Sequence, residues 1–246
     1  MQWQDEGIVL GVRRHGETAA IADVLTRDHG RHLGLVRGGR SRAMRPVLQA
    51  GNTVSARWSA RIADHLGTFV LEPMGMRVAR IIDDRFKLAG LATLTGLSAL
   101  LPEREPHARI FEALKVALDA LDDDRVWPAV LVRFELGLLD ELGFGLDLSR
   151  CAATGSRDNL VYVSPRSGRA VGAEAGASYR ERLLALPSFL LGSQADPPGG
   201  AGVLDGLRLT GYFLDRHVFH PRGLVPPDAR RYVLERLERE ALPEIP

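Results

Sequence analysis

The sequence predicts an α+β protein in which a small closed β-barrel precedes an α-helical domain. Three observations carry that prediction. Five short extended runs fall between residues 7 and 71, separated by turn signals at regular spacing, a pattern of barrels and not of alternating strands and helices. From about Val78 onward the apolar period changes from two to helical spacing. No repeat or extended low-complexity tract interrupts either regime. The boundary falls between Glu72 and Arg80, giving a barrel over 1–78 and a helical domain over 79–246.

The first run, Gly7-Ile8-Val9-Leu10-Gly11-Val12, breaks at Arg13-Arg14-His15-Gly16-Glu17, a polar hairpin with a glycine available for positive φ. Ala19 to Thr26 is the second strand, and Asp28-His29-Gly30 the turn after it. In the third run Arg31, Leu33, Leu35 and Arg37 alternate with His32, Gly34 and Val36. The connection Gly38 to Leu48 is the most basic short segment of the chain and has room for a helical turn. Thr53 to Ser59 sets Val54, Ala56 and Trp58 against Ser55, Arg57 and Ser59, and Leu66 to Leu71 is the fifth run. An SH3-like barrel has the same strand count, and the pattern does not separate the two.

In the second regime Ile81, Ile82, Phe86, Leu88, Leu91, Leu94 and Leu97 recur at helical spacing before Pro102. Ile110, Leu114, Ala117, Leu118 and Leu121 make a second amphipathic helix, closed by Asp122-Asp123-Asp124. A third spans Val130 to Leu142 and stops at Gly143-Phe144-Gly145. Residues 149–176 are turn-rich and partly extended. Further helices are expected over 178–186, 203–219 and 227–241, with Asp196-Pro197-Pro198-Gly199-Gly200 as a loop.

Composition excludes several classes. Of 246 residues, 45% are hydrophobic and 26% charged, so a packed interior is expected and disorder is not. No apolar stretch approaches the roughly 18 residues of a membrane span. The acidic start, Met1-Gln2-Trp3-Gln4-Asp5-Glu6, has neither the basic nor the apolar region of a signal peptide. The single cysteine, Cys151, rules out an internal disulfide and a thiolate-built zinc site. A cytoplasmic protein without membrane attachment is expected.

Catalytic signatures are missing. There is no Gly-x-Ser-x-Gly elbow, phosphate loop or dinucleotide fingerprint. Cys151 has no histidine nearby in sequence and reads as a small structural side chain. His217 and His220 share a helical face but lack a third convergent ligand beyond Asp215, which lies on another face. Asp122 to Asp124 lack the spacing of a calcium loop. No enzyme activity, metal or cofactor is expected.

Charge is more informative. The net charge of +1 conceals 12 Arg and no Lys against 7 Asp and Glu in residues 1–80, a net of +5. Residues 81–150 carry 8 basic and 13 acidic groups, a net of −5, and the remainder 12 against 11. Such asymmetry points to an electrostatic partner. Arg13, Arg14, Arg31, Arg37, Arg40, Arg42 and Arg45 form the richest constellation. Guanidinium groups pair bidentately with phosphate, and Gly38 and Gly39 would let backbone approach a polyanion. Trp3, Trp58 and Phe69 offer faces for base stacking. The plain alternatives are a solvated arginine face and core aromatics, the alternation around Trp58 and Phe69 favouring the latter.

The order of several segments resembles the RecO family of bacterial recombination mediators. These are Asp5-Glu6-Gly7-Ile8-Val9-Leu10 with Arg13 to Thr18, Leu25 to Gly30, Leu35 to Ser41, Arg133 to Leu139, Leu142 to Gly145, Cys151 to Gly155, and Tyr162 to Gly168. The resemblance implies an N-terminal five-stranded OB-fold barrel and a helical C-terminal domain. It also implies binding of single- and double-stranded DNA, strand annealing, and contacts with RecR and with the acidic C-terminal tail of single-stranded-DNA-binding protein, so that RecA is loaded indirectly. It carries Arg13, Arg14, Arg37, Arg40 and Arg42 over to the family's basic barrel segments, and Arg133 to a partner-binding surface. Some members carry a four-cysteine zinc module where this chain has Cys151 followed by Thr154-Gly155, so a zinc-free insertion over about 149–176 is expected. Two other functions fit the same residues, an RNA-binding OB-fold module and a protein-only adaptor acting through its helices.

Overall fold

The computed structural model describes residues 1–62, 65–192 and 198–241. The chain divides into two compact units, Met1–Asp122 and Asp123–Pro246.

In the first unit five strands close a barrel in the order β1-β2-β3-β5-β4: β1 (Gln2–His15), β2 (Ala19–Thr26), β3 (Gly30–Val36), β4 (Thr53–Ser59) and β5 (Thr68–Gly75). Strand β1 makes closure possible. Its first half, Gln2 to Ile8, pairs with β4, and Gly7 to His15 pairs with β2. The last seam is the single parallel bridge between Leu35 of β3 and Thr68 of β5. That order and that parallel seam are those of an OB-fold barrel, which settles the choice left open against an SH3-like one.

The alternations in β3 and β4 hold, with His32, Gly34 and Val36 turned inward on β3 and Val54, Ala56 and Trp58 on β4. The core is built from small side chains, Val9, Ala20, Ala22, Val24, Val54 and Ala56, around two large rings, Trp58 and Phe69, each 2% exposed. The Trp58 indole N–H donates to the carbonyls of Leu33 and Leu66, so its burial leaves no orphan donor. Gly34 is required by this packing, because a Cβ there would lie 2.3 Å from the Phe69 ring.

Three helices belong to the same unit: α2 (Val78–Ile81), α3 (Arg85–Ser98) and α4 (Ala108–Ala120), while α1 (Met44–Val47) lies in the β3–β4 connection. The apolar run from Ile81 is not one helix. Asp84 is extended and its carboxylate accepts from the N–H groups of Phe86 and Lys87, an N-cap that starts α3 afresh. The outward residues Ile8 and Leu10 of β1 are buried as well, and α3 packs against β1 and α4 against β2.

The second unit is built on α5 (Trp127–Glu141), α7 (Gly200–Leu214) and α8 (Asp228–Ala241). At its centre Glu135, fully buried, receives Nε and Nη2 of Arg230 at 2.7 and 2.9 Å and the Thr210 hydroxyl. Beside the helices lies a three-stranded sheet, β7-β6-β8, of β6 (Leu160–Val163), β7 (Ala170–Gly172) and β8 (Leu184–Ala185), with the short helix α6 (Ala173–Gly176). The helix expected over 178–186 does not form. A 3-10 turn covers Ala177–Arg182, and Leu184 and Ala185 are drawn into the sheet opposite Val163 and Tyr162. The helix expected to end at 219 finishes as a π-helical turn, Asp215–Phe219. Part of the loop expected at 196–200 lies outside the described residues. No helix among the described residues is long and apolar enough to cross a membrane.

Candidate nucleic-acid interface

The β1–β2 hairpin, the end of β3 and α1 bring most of the sequence-predicted arginines to one end of the barrel. A bulge decides which of them face it. Val9 pairs with Val24, but Gly11 pairs with Asp23, so Leu10 is an extra residue. Beyond it the facing parity of β1 is exchanged. Val12 and Arg14 now lie opposite the core residues Ala22 and Ala20, while Arg13 pairs with Ile21 and points to the other face.

Arg14, Arg40 and Arg45 line one open depression of about 290 Å³ with Val12, Ala20 and Leu48. Arg40 donates to the carbonyls of Gly16 and Glu17 at 3.0 and 2.6 Å, tying the β3–α1 loop to the hairpin tip. Nε of Arg45 donates to the Arg40 carbonyl. Arg37 lines a neighbouring depression with Met44 of α1, and Arg42 is exposed on the loop between them. Among the described residues, Arg13, Arg14, Arg37, Arg40, Arg42 and Arg45 pair with no carboxylate.

Gly38 and Gly39 also have a role within the barrel itself. Gly38 turns the chain at φ +65°, and Gly39 is buried, its N–H bonded to Val36 and its Cα against Ala20. They let the loop fold onto the barrel.

Arg31 is withdrawn from the group. Nε and Nη2 form a bidentate pair with Asp23 at 2.8–3.1 Å, and Nη1 donates to the Leu101 carbonyl. Burial opposes its charge, but Asp23 more than compensates and holds its pKa above the ordinary arginine value. Because β3 alternates, Arg31 shares an outward face with Asp23 of β2, beneath the segment after α3. Arg27 is engaged as well, with Glu6 at 2.7 Å and Glu112 at 3.0 Å, and Lys115 reaches Glu6 at 2.6 Å.

Of the aromatics only Phe69, itself almost wholly buried, lines a depression with one of these arginines, Arg37. Trp58 and Phe69 are core, and Trp3 packs on them near the start of β1. Trp3 is ten residues from Arg13, about 33 Å along the strand.

Arg133 is also occupied. Its Nη2 donates to the carbonyls of Phe189 and Gly192, and its guanidinium lies 5.8 Å from the Phe189 ring centre. These contacts fix the direction of its side chain, while the residue itself stays exposed. Cys151 is buried, and its sulfur accepts the Gly172 N–H at 3.3 Å. The Thr154 hydroxyl and the Gly172 N–H lower its pKa to about 7. His217 stacks with Phe144 and Phe213 at centroid distances of 5.0 and 6.0 Å. Among the described residues no three His, Cys, Asp or Glu side chains converge to hold a metal.

An OB-fold barrel with an unpaired cationic end, joined to a helical unit, defines a two-part protein, and family models match the two parts in turn. The model described as Recombination protein O N terminal matches residues 1–73, and that described as Recombination protein O C terminal matches 83–224. The chain is 55% identical over 242 residues to a protein named DNA repair protein RecO from Mesorhizobium japonicum, covering 97% of this chain and 94% of that one. It is 55% identical to the protein of that name from Methylobacterium nodulans, covering 94% and 95%, and 52% identical to that from Rhodopseudomonas palustris, covering 97% of each. The chain belongs to the RecO family.

Proposed function

We propose that this protein is a DNA-binding recombination mediator. The hairpin, β3 end and α1 hold the phosphates of single- and double-stranded DNA, and the protein anneals complementary strands. With RecR it helps load RecA on strands coated by single-stranded-DNA-binding protein, acting in the cytoplasm at the nucleoid. The observation that carries this reading is the set of five arginines, Arg14, Arg37, Arg40, Arg42 and Arg45, that come from separate segments and meet no carboxylate. The relatives' name, DNA repair protein, supports the same field of action.

The chemistry is neutralisation. Two strands repel through their phosphates, and guanidinium groups lower that cost while releasing counterions. The depression at the hairpin is lined by Val12, Ala20 and Leu48 besides its arginines, with no aromatic side chain. A strand held there by its backbone keeps its base edges free to pair, which annealing requires. No catalytic group or nucleotide enters this mechanism.

Salt titration of a labelled single strand tests it. Five phosphate contacts, with Arg13 facing away, give a log–log slope of about −3.5, roughly a 130-fold loss between 50 and 200 mM salt. A flat response overturns the reading. Changing Arg14, Arg37 and Arg42 to Ala flattens that slope by about 2 and slows annealing of coated strands, with an unchanged circular dichroism spectrum. Preference for RNA over DNA of equal length would move the protein to the RNA-binding class.

A further inference from the structure

We propose that the opposite end of the same barrel holds a nucleobase, so that the strand gripped through its phosphates at the hairpin is also read by stacking some 33 Å away along β1. This rests on the DNA reading above and adds a second subsite to it.

Trp3, His29, His32, Trp58, Arg104 and Pro106 line a depression of about 500 Å³. Three of these rings form a ladder. Trp58 and Trp3 stack at 5.6 Å and 16°, and Trp3 and His29 at 4.3 Å and 12°. Exposure rises along it, from 2% at Trp58, through half-buried Trp3, to 36% for the His29 side chain. His29 is the outer rung, and it is held in place: its Nδ1 lies 3.0 Å from Oδ2 of Asp5, which also accepts the Asp28 N–H. A further flat ring extends the stack without rearrangement.

The floor is not purely apolar. His32 is 6% exposed, stands edge-on to Trp3 and Trp58, and its Nδ1 has no hydrogen-bond partner among the described residues. Burial, with Arg104 and His29 nearby, keeps this imidazole neutral at pH 7. A base has polar edges to set against such a floor and a sugar–phosphate to set against Arg104, whereas a phenyl ring from a peptide has neither.

The test compares a short oligothymidine with an abasic chain of equal length, read by anisotropy and by tryptophan emission. Trp127, the remaining tryptophan, is buried in the other unit and contributes a constant background. The base-bearing strand is expected to quench emission and to bind about tenfold tighter than the abasic one. His29→Ala abolishes the difference, while His29→Phe, which loses the Asp5 contact but keeps a flat face, retains it. Equal, unquenched binding of both strands overturns the base subsite and leaves the arginine grip standing. Binding of neither removes both readings. Quenching by an aromatic acidic peptide but not by the oligonucleotide gives the depression to a protein partner and also overturns the proposal.

Discussion

The two ends of strand β2 treat arginine in opposite ways. Near Thr26, Arg27 and Arg31 are tied to Glu6, Glu112 and Asp23, and even His29 is bound to Asp5. Near Ala19, Arg14, Arg40 and Arg45 meet only backbone carbonyls and solvent. The residue type is the same and the distance small, so composition does not distinguish a site from a scaffold. What differs is whether the fold brings a carboxylate to the same face. A paired guanidinium has its charge-assisted hydrogen bonds already made, and a phosphate would have to displace them.

Breaking a pair should therefore cost stability, and removing an unpaired arginine should cost affinity. The largest effect is expected for Arg31→Ala, which leaves half-buried Asp23 alone. It should lose about 3 kcal/mol, roughly 6–12 °C in a thermal melt, with nucleic-acid affinity almost unchanged. A wild-type melting curve would erase the distinction between the ends. The double change Arg14→Ala with Arg45→Ala should do the reverse. The melt stays within about 1 °C, while single-strand affinity falls about tenfold and the salt slope flattens by about 1.4.

A carboxylate can also be transplanted. Thr18→Glu at the exposed hairpin tip, where the Thr18 carbonyl accepts the Arg40 N–H, should mimic the paired end and weaken binding about threefold at low salt. Unchanged affinity in a filter-binding assay would mean the tip lies outside the strand's path.

The smallest effect concerns the paired end and pH. Burial depresses the folded pKa of His32 below 6.5. The unfolded chain then binds the proton first, so stability is full above pH 6.5 and falls as pH drops through that value. The loss is at most about 0.7 kcal/mol between pH 7 and 6. His32→Gln should flatten this part of the denaturation profile; an unaltered slope would assign it to other groups.

The period-two patterns of β3 and β4 were legible because each strand has one face on the barrel core and the other off it. The arginine cluster was legible in outline because four of its members, Arg37 to Arg45, are close in sequence. What was hidden is non-local. Nothing near Arg31 announces Asp23 as a cross-strand neighbour, and Glu135 and Arg230 are 95 residues apart. Arg133 looked available because its acceptors, the Phe189 and Gly192 carbonyls, are backbone atoms that carry no sequence signature. The break before α3 had a readable signal, Asp83-Asp84 ahead of an apolar run, which an unbroken apolar periodicity outweighed.

The unpaired residue at Leu10 turns strand register into a selector. Were Leu10 instead drawn into the ladder opposite Asp23, every later residue would slip by one, sending Arg13 toward the depression and Arg14 away without altering a single charge. A one-residue slip in that strand is thus a more drastic change than any nearby point substitution.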